Sequence, residues 1–239
     1  MSLQDPRSKI KDLIPKHIGI ILDGNRRWAE ENGLPTMEGH RKGADNIEFV
    51  AEALFDKGVE YVSLFVFSTE NWKRTTEEVG YLMKLFVKLF KKDSQRLIDR
   101  GYRILFAGRR DGKINKDISE AIEDLEDSSK NGKNGTLVFC FNYGGTTEIV
   151  DAVKGIVESG INPEDIDEQT LSENMYQPEV PPIDLLVRTS GEQRISGFQL
   201  WRAAYAELLF IDKHWPDFSP ADATMIIDEF SARNRRFGG

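Results

Sequence analysis

Six short apolar runs alternate with segments in which apolar residues recur every three or four positions. Each run has the length and residue types of a β-strand. The runs lie at 17–22, 61–67, 103–107, 136–141, 184–187 and 207–211. Helical patterns between short apolar strands are typical of a parallel sheet covered by helices on both faces. The predicted fold is therefore α/β, with a mostly parallel six-stranded sheet flanked by helices.

Two of the helical segments are informative. The first has one apolar face, formed by Ile149, Val150, Val153, Ile156 and Val157, and Gly160 supplies a C-terminal stop. The second, YLMKLFVKLF at 81–90, is apolar on more than one face. Two compatible interpretations follow: the sheet and a dimer partner bury this helix, or part of it lines a cavity for an apolar ligand.

The sequence predicts a single domain. Its 239 residues suit a single large α/β domain, and no long linker divides them. We expect residues 1–16 to be a flexible N-terminal segment, 17–239 to form the domain, and 162–182 to be a surface excursion. The N-terminus lacks a signal-peptide core, and no apolar run approaches the ~18 residues of a membrane span.

Charge and cysteine content narrow the class of protein. A net charge of −8 argues against general nucleic-acid binding, although a few local arginines can still hold a small phosphorylated ligand. The single Cys140 cannot form an internal disulfide. We therefore expect a cytoplasmic protein.

Arginines, glycines, amides and small hydroxyls follow the ends of five predicted strands. Ligands of open parallel sheets bind at the carboxyl ends of the strands, and these groups are typical of phosphate sites. The segments are 23–28, 68–74, 108–110, 142–146 and 188–194. They offer carboxylates and arginines without a covalent nucleophile, which favours metal-assisted departure of a phosphate group.

Other interpretations of these segments remain open. Asp23-Gly24-Asn25 is also a common turn sequence, and 142–146 could be a tight strand-to-helix connection. The run GRRDGK at 108–113 is excluded as a nucleotide phosphate loop, because its spacing is one residue short and Ile114 replaces the required Ser or Thr. The acidic run at 123–127 is typical of a solvated helix face.

Eight segments resemble, in order, the motifs of the cis-prenyltransferases, the family of undecaprenyl diphosphate synthase. They are DGNRRWA at 23–29, GHRKGA at 39–44, FSTENWKR at 67–74, FNYGG at 141–145, RTSGEQRISGFQLW at 188–201, AYAELLF at 204–210, WPDF at 215–218 and RRFGG at 235–239. The resemblance covers nearly the whole chain. It implies a homodimeric, Mg²⁺-dependent enzyme that joins isopentenyl diphosphate to an allylic prenyl diphosphate and creates cis double bonds.

The resemblance also implies residue roles. Asp23 would be the central catalytic residue and bind Mg²⁺ with Glu207, and Asn71 would assist proton removal. The allylic diphosphate would be held by Gly24, Asn25, Arg26 and Arg27. A mobile closing segment would contain Ser68, Asn71, Trp72 and Arg74, with Glu78 as a further active-site acid. Isopentenyl diphosphate would be bound by Arg188, Arg194 and Ser196. Further substrate-binding residues would be Trp28, His40, Thr69, Glu70 and Ile195. The C-terminal residues Arg236, Phe237 and Gly238 would reach the partner's site.

Four positions depart from the common bacterial pattern. Arg26 replaces a glycine, as in many archaeal and eukaryotic relatives, Thr36 lies near the place of an arginine, Gln193 replaces a histidine and Thr75 a proline. They leave open the allylic substrate and the regiochemistry. An atypical enzyme making short or branched products is therefore an alternative. A non-catalytic partner subunit is disfavoured, because such relatives typically lose Asp23 and much of the arginine set.

A lengthening hydrocarbon also requires an apolar tunnel. The helix at 81–90 would form one wall of it. Phe139 and Phe141 share one face of the fourth strand and would close its far end. The lipid product would permit peripheral association with a membrane.

Overall fold

The computed structural model describes residues 14–233, apart from the side chains of Lys92 and Asp93. All six predicted strands are present, with ends shifted by at most two residues. They are β1 (His17–Ile21), β2 (Tyr61–Ser68), β3 (Arg103–Ala107), β4 (Thr136–Tyr143), β5 (Leu185–Arg188) and β6 (Glu207–Phe210). The α-helices are α1 (Asn25–Glu31), α2 (Thr36–Asp56), α3 (Thr76–Lys88), α4 (Gln95–Asp99), α5 (Lys116–Ser129), α6 (Gly145–Ser159), α7 (Glu168–Glu173) and α8 (Pro220–Ser231). Short 3₁₀ turns lie at Thr69–Lys73, Pro163–Asp165 and Trp215–Asp217, and a π turn lies at Leu89–Asp93.

The strands form one parallel sheet in the order β3-β4-β2-β1-β5-β6. The predicted α/β fold is therefore confirmed. Every residue of β1 is buried, as expected for a central strand of a sheet covered on both faces. Because β1 lies between β2 and β5, the segments that follow these three strands meet at one edge of the sheet.

Both informative helices form, with one difference from the sequence pattern. Helix α6 ends at Gly160, which adopts the left-handed conformation with φ 72°. However, only part of its apolar face is covered: Ile156 is buried, whereas Val150, Val153 and Val157 are 50%, 48% and 72% exposed. The segment at 81–90 spans α3 and the π turn, and its large apolar residues are already mostly buried within one chain.

The segment at 162–182 is only partly a surface excursion. Its first half is exposed and carries α7, but Met175 and Val180 are buried. The Arg202 guanidinium donates to the backbone carbonyls of Tyr176 (2.6 Å) and Gln177 (3.0 Å). It also pairs with the buried carboxylate of Glu148 at 3.0 Å. This buried ion pair attaches the second half of the segment to the core.

His17 in β1 is fully buried and held in one tautomer. Its Nδ1 lies 2.8 Å from the Pro181 carbonyl oxygen, which can only accept, so Nδ1 carries the proton. Its Nε2 therefore accepts from the Ser63 hydroxyl, at 2.8 Å. Burial lowers the pKa of His17 from 6.5 to about 4.

We expect His17 to reduce the free energy of unfolding as the pH falls from 6.5 to about 4. The folded pKa lies below the unfolded value, so over this range the unfolded chain binds a proton that the folded chain excludes. The loss should reach about 3 kcal/mol. Urea unfolding of the wild type and of His17→Gln across this range measures how steeply the free energy of unfolding of each protein changes with pH. Equal slopes would contradict the assignment.

Candidate active site

A cleft of about 230 Å³ lies at the carboxyl ends of β1, β2 and β5. It brings together nine of the predicted site residues from segments that lie far apart in the chain. They are Asp23, Asn25, His40, Ser68, Glu70, Asn71, Arg74, Arg188 and Ser196. The convergence follows from the strand order, because parallel neighbours deliver their loops to the same edge.

Asp23 leaves β1 in a tight turn that is anchored to the loop after β5. Its backbone N–H donates to the Thr189 hydroxyl at 3.0 Å, and that hydroxyl lies 2.7 Å from the Asp23 carbonyl. Gly24 then adopts φ 102° before α1 begins. A side chain is strained in this conformation, and an added Cβ would also lie 2.7 Å from the Ser190 hydroxyl. The turn therefore requires glycine, because its φ is positive and because a Cβ would collide with Ser190.

The Asp23 carboxylate is paired with a buried arginine. Arg188 Nη2 and Nε donate to Asp23 Oδ2 at 2.8 and 3.3 Å, and Arg27 Nη2 lies 3.3 Å from the same oxygen. Partial burial by itself would raise the pKa of Asp23. The hydrogen bond and charge of Arg188, helped by the Gly24 N–H and Arg27, outweigh burial, and the pKa of Asp23 is lowered. Asp23 is therefore an anion at neutral pH, with its side chain 28% exposed to the cleft.

Arg188 also organises the segment assigned to isopentenyl diphosphate. Its Nη1 donates to the Arg194 carbonyl at 2.6 Å and to the Ser196 hydroxyl at 2.8 Å. These bonds place Ser196 in the cleft, whereas the Arg194 side chain is 60% exposed and does not line it. Ile195 instead packs against a hydrophobic cluster that contains Phe198.

The predicted closing segment contains a 3₁₀ turn that side-chain hydrogen bonds hold in place. The Ser68 N–H donates to the Asn71 amide oxygen at 2.9 Å. The Trp72 indole N–H donates to Asn142 at 2.7 Å. Thr69 belongs to the same turn but does not line the cleft, whereas Glu70 does.

Behind this turn, one buried carboxylate orients a histidine and an arginine. Glu78 Oε1 accepts from His40 Nε2 at 3.1 Å and from Arg74 Nη1 at 3.0 Å. Burial lowers the pKa of His40 more than its bond to Glu78 raises it, and the charges of Arg74 and Arg26 lower it further. Arg26 thus lies close enough to the cleft to influence its charges, although its side chain is exposed.

Glu207 is not brought to Asp23 in a single chain. It begins β6 in register with Leu185, which pairs with Ile18 in β1, whereas Asp23 follows the other end of β1. The two levels are separated by at least three residues along the strand, or about 10 Å. Ligands of one Mg²⁺ lie roughly 2.1 Å from the ion. Within one chain, therefore, Glu207 does not share an ion with Asp23, and its carboxylate pairs with Arg233 at 3.0 Å. The metal role of Glu207 stays a prediction.

Several residues of this region were not assigned from the sequence. Glu192 pairs with both Arg27 (3.5 Å) and Arg194. Thr189 anchors the Asp23 turn. Both follow β5 and could have been found from the strand-end pattern. His214, which contacts Ser190, follows β6 and carried no sequence signal. Trp28, which was assigned, lies on α1 and does not line the cleft.

An apolar cavity of about 50 Å³ adjoins the cleft. The two share part of their lining, including His40, Val66 and Leu82. Phe86 lines the cavity and contacts Phe141, with their ring centroids 5.0 Å apart. Both rings belong to an aromatic cluster, defined by Phe67, Phe86, Phe90, Phe106, Phe139 and Phe141. Cleft and cavity together offer a polar binding site with a short apolar extension.

Within residues 14–233, no group of three or more His, Cys, Asp or Glu side chains could hold a metal ion. Asp23 nevertheless fits Mg²⁺, because it is ionised and faces the cleft. Mg²⁺ is commonly bound by one or two carboxylates together with substrate phosphates and water.

Comparison with known proteins identifies the class. Residues 21–238 match the sequence model of a family described as "Putative undecaprenyl diphosphate synthase". The isoprenyl transferase 1 of Streptomyces coelicolor is 42% identical over 235 residues, covering 97% of this chain and 84% of that protein. The trans,polycis-polyprenyl diphosphate synthase of Thermobifida fusca, described as (2Z,6E)-farnesyl diphosphate specific, is 40% identical over 96% of this chain and 82% of that protein.

Two solved structures of prenyl diphosphate synthases are also similar to this chain. Lavandulyl diphosphate synthase from Lavandula x intermedia, in complex with dimethylallyl diphosphate, has a TM-score of 0.91 and 30% identity, covering 95% of this chain and all of that chain. A probable undecaprenyl diphosphate synthase from Campylobacter jejuni has a TM-score of 0.79 and 26% identity, covering 94% of this chain and 99% of that chain.

The chain therefore belongs to the undecaprenyl diphosphate synthase-like family of prenyltransferases. The resemblance seen in the sequence is confirmed, as is the prediction that the protein is a cis-prenyltransferase. In the part of the chain that the structure describes, no helix is long and apolar enough to cross a membrane.

Proposed function

We propose that Asp23 and the arginines around it carry out the condensation of isopentenyl diphosphate with an allylic prenyl diphosphate. The observation that carries this proposal is the Asp23–Arg188 pair. It holds an ionised carboxylate in a cleft lined by Arg74 and Arg188, with Arg27 of α1 3.3 Å from the same carboxylate.

Two sets of arginines suit two diphosphates. Arg26, Arg27 and Arg74 lie on the α1 and α3 side of Asp23, and we assign them to the allylic diphosphate. Arg188 and Arg194, with Ser196, lie on the β5 side, and we assign them to isopentenyl diphosphate. Guanidinium groups bind phosphate oxygens through paired N–H donors, so this division also orients the reacting carbons.

The remaining residues would protect and deprotonate the reacting carbons. An allylic cation is trapped by water unless the site is dry, and closure of the 3₁₀ turn with Trp72 would exclude solvent. Asn71 lines the cleft, and we propose that its amide assists proton removal from the isopentenyl unit. Its oxygen now accepts from the Ser68 N–H, so this hydrogen bond would lengthen first.

Mg²⁺, bound through Asp23, would stabilise the negative charge of the departing diphosphate. Asp23 would be the carboxylate through which this chain binds the ion. The buried Arg188 keeps the carboxylate ionised, and the Gly24 N–H on Oδ1 orients it at 2.7 Å.

We expect Asp23→Ala to lower turnover at least about 100-fold with Mg²⁺ present, because it removes the charge that binds the ion. The variant should fold with a lower midpoint of thermal unfolding, because the buried Arg188 loses its carboxylate partner but keeps its bonds to Arg194 and Ser196. Steady-state rates and thermal unfolding measure the two effects. Asp228→Ala, at an exposed position on α8, is the matched control. Turnover near the wild-type rate would contradict the assignment.

Product analysis defines the allylic starter and the chain length. We expect labelled isopentenyl diphosphate, Mg²⁺ and dimethylallyl, geranyl or farnesyl diphosphate to yield a longer prenyl diphosphate with new cis double bonds. Product sizing and double-bond analysis test this expectation. No product with any of the three starters would contradict the proposed function.

A second candidate is an enzyme making short or branched products. The similarity to lavandulyl diphosphate synthase, with a TM-score of 0.91, favours it. Product from dimethylallyl diphosphate without isopentenyl diphosphate would support this candidate in the same assay.

We propose that the growing hydrocarbon enters the apolar cavity and that the aromatic cluster limits its length. Phe86 closes the cavity, and Phe141 backs it at 5.0 Å between ring centroids. Phe139, completely buried, lies deeper, against Phe90 and Phe106. A chain that extends past Phe86 would therefore meet Phe141 before Phe139.

Replacing Phe86 or Phe141 with Ala should lengthen the product by one or more isoprene units, because the cavity would deepen. Phe139→Ala should lengthen it only when combined with Phe141→Ala. Chromatographic sizing of labelled products checks this order. Phe55→Ala is the control: Phe55 is buried but packs on Tyr102, outside the aromatic cluster. An unchanged product ladder in all variants would remove the tunnel proposal.

We also propose a homodimer. Val150, Val153 and Val157 form an exposed apolar row on α6, and Tyr205 near β6 is 86% exposed. A second copy of the chain would cover such a surface. The predicted contribution of 236–238 to a partner's site lies outside the described residues. The cytoplasmic location and peripheral membrane association also stay predictions.

A further inference from the structure

Three residues from distant parts of the chain form a hydrogen-bonded row beside the Asp23 turn. Glu31 ends α1, Ser190 follows β5, and His214 follows β6. His214 lies in the middle: its Nε2 is 3.1 Å from Glu31 Oε1, and its Nδ1 is 2.6 Å from the Ser190 hydroxyl oxygen. None of the three has a part in the chemistry proposed above.

The chemistry of the groups defines the direction of these bonds. An ionised carboxylate can only accept, so His214 Nε2 carries a proton and donates to Glu31. In a neutral imidazole the other nitrogen then accepts, so Ser190 donates its hydroxyl proton to Nδ1. The Ser190 side chain is thereby held in one orientation.

The backbone of Ser190 is unusual in a way that this bond explains. Its φ is 76°, in the left-handed region that favours glycine. Its N–H donates to the Lys213 carbonyl at 2.9 Å, while the hydroxyl is bound to His214. These two bonds from adjoining residues hold an unfavourable conformation in place.

That conformation directs the Ser190 carbonyl at Arg27. Arg27 Nη1 donates to this oxygen at 3.0 Å. The side chain of Arg27 is 42% exposed, and its other contacts are longer: 3.3 Å to Asp23 and 3.5 Å to Glu192. The Ser190 carbonyl therefore makes the shortest of the polar contacts that orient this guanidinium.

We propose that Glu31, His214 and Ser190 form a positioning row that orients Arg27 for the allylic diphosphate. Glu31 fixes the His214 ring, His214 fixes Ser190, and the Ser190 carbonyl holds Arg27. The row also lies against the turn itself, since an added Cβ on Gly24 would be 2.6 Å from His214 Nδ1. This inference rests on the proposed role of Arg27 in allylic diphosphate binding.

Two substitutions of His214 separate its two bonds. His214→Asn keeps a polar atom near the position of Nδ1, which can still accept from Ser190. His214→Gln keeps a donor near the position of Nε2, which can reach Glu31 but not Ser190. Ser190→Ala removes the hydroxyl alone. Glu30→Gln, at the exposed residue beside Glu31, is the matched control.

We expect Ser190→Ala and His214→Gln to raise the KM for the allylic diphosphate about three- to tenfold, the effect of losing one hydrogen bond. The KM for isopentenyl diphosphate should stay near the wild-type value, and His214→Asn should be affected less than His214→Gln. Each variant is assayed with dimethylallyl, geranyl and farnesyl diphosphate in turn. KM does not depend on the fraction of folded enzyme, so partial unfolding cannot mimic this pattern.

Arg27→Ala separates the proposed role of Arg27 from the proposed role of the positioning row. If it leaves the allylic KM unchanged, the proposed role of Arg27 is wrong. If it raises that KM while Ser190→Ala and His214→Gln do not, the positioning row alone is overturned. Equal impairment by His214→Asn and His214→Gln, or an equal rise in both KM values, would also overturn it, because either result indicates a packing role.

Discussion

The ion pair between Asp23 and Arg188 joins the two loops from which the site is built. Ile21 at the end of β1 pairs in register with Arg188 at the end of β5, so Asp23 lies just beyond its partner. Arg188 is only 5% exposed. Its charge is compensated by Asp23, the Arg194 carbonyl and the Ser196 hydroxyl. Removing a partner of a buried charge is costly. The same pair therefore keeps Asp23 ionised and holds the loop after β5 in position.

The cleft holds charges of both signs in a protein with a net charge of −8. Asp23 and Glu70 line it with Arg74 and Arg188, and ion pairs join Arg27 and Arg194 to it, so that four arginines lie in or beside the cleft. Carboxylates from the chain itself orient each of them: Asp23 for Arg188, Glu78 for Arg74, and Glu192 for Arg27 and Arg194. These carboxylates keep the guanidinium groups ordered, which reduces the entropy lost when a diphosphate binds. Glu192 also links the two proposed diphosphate sites.

The apolar side of the site is built by helix α3 and the aromatic cluster. Helix α3 carries Glu78 toward the cleft at its start and buries Leu82, Leu85 and Phe86 one and two turns later. One helix thus contributes to both the charged cleft and the cavity beside it. The aromatic cluster beyond Phe86 is densely packed, so the space available to a hydrocarbon depends on the volume of individual rings.

The sequence by itself determined the strands, the fold class and most of the cleft, because these depend on local patterns. The residue that follows a buried parallel strand must lie at the sheet edge, so Asp23, Ser68 and Arg188 could be placed together without coordinates. The tertiary structure alone decided which distant residues meet. Register along β6 placed Glu207 away from Asp23, and packing between loops brought His214 to Ser190. The alternation of side chains along a strand can be recognised from the residues of that strand alone. Register and loop packing instead depend on contacts between segments far apart in the chain.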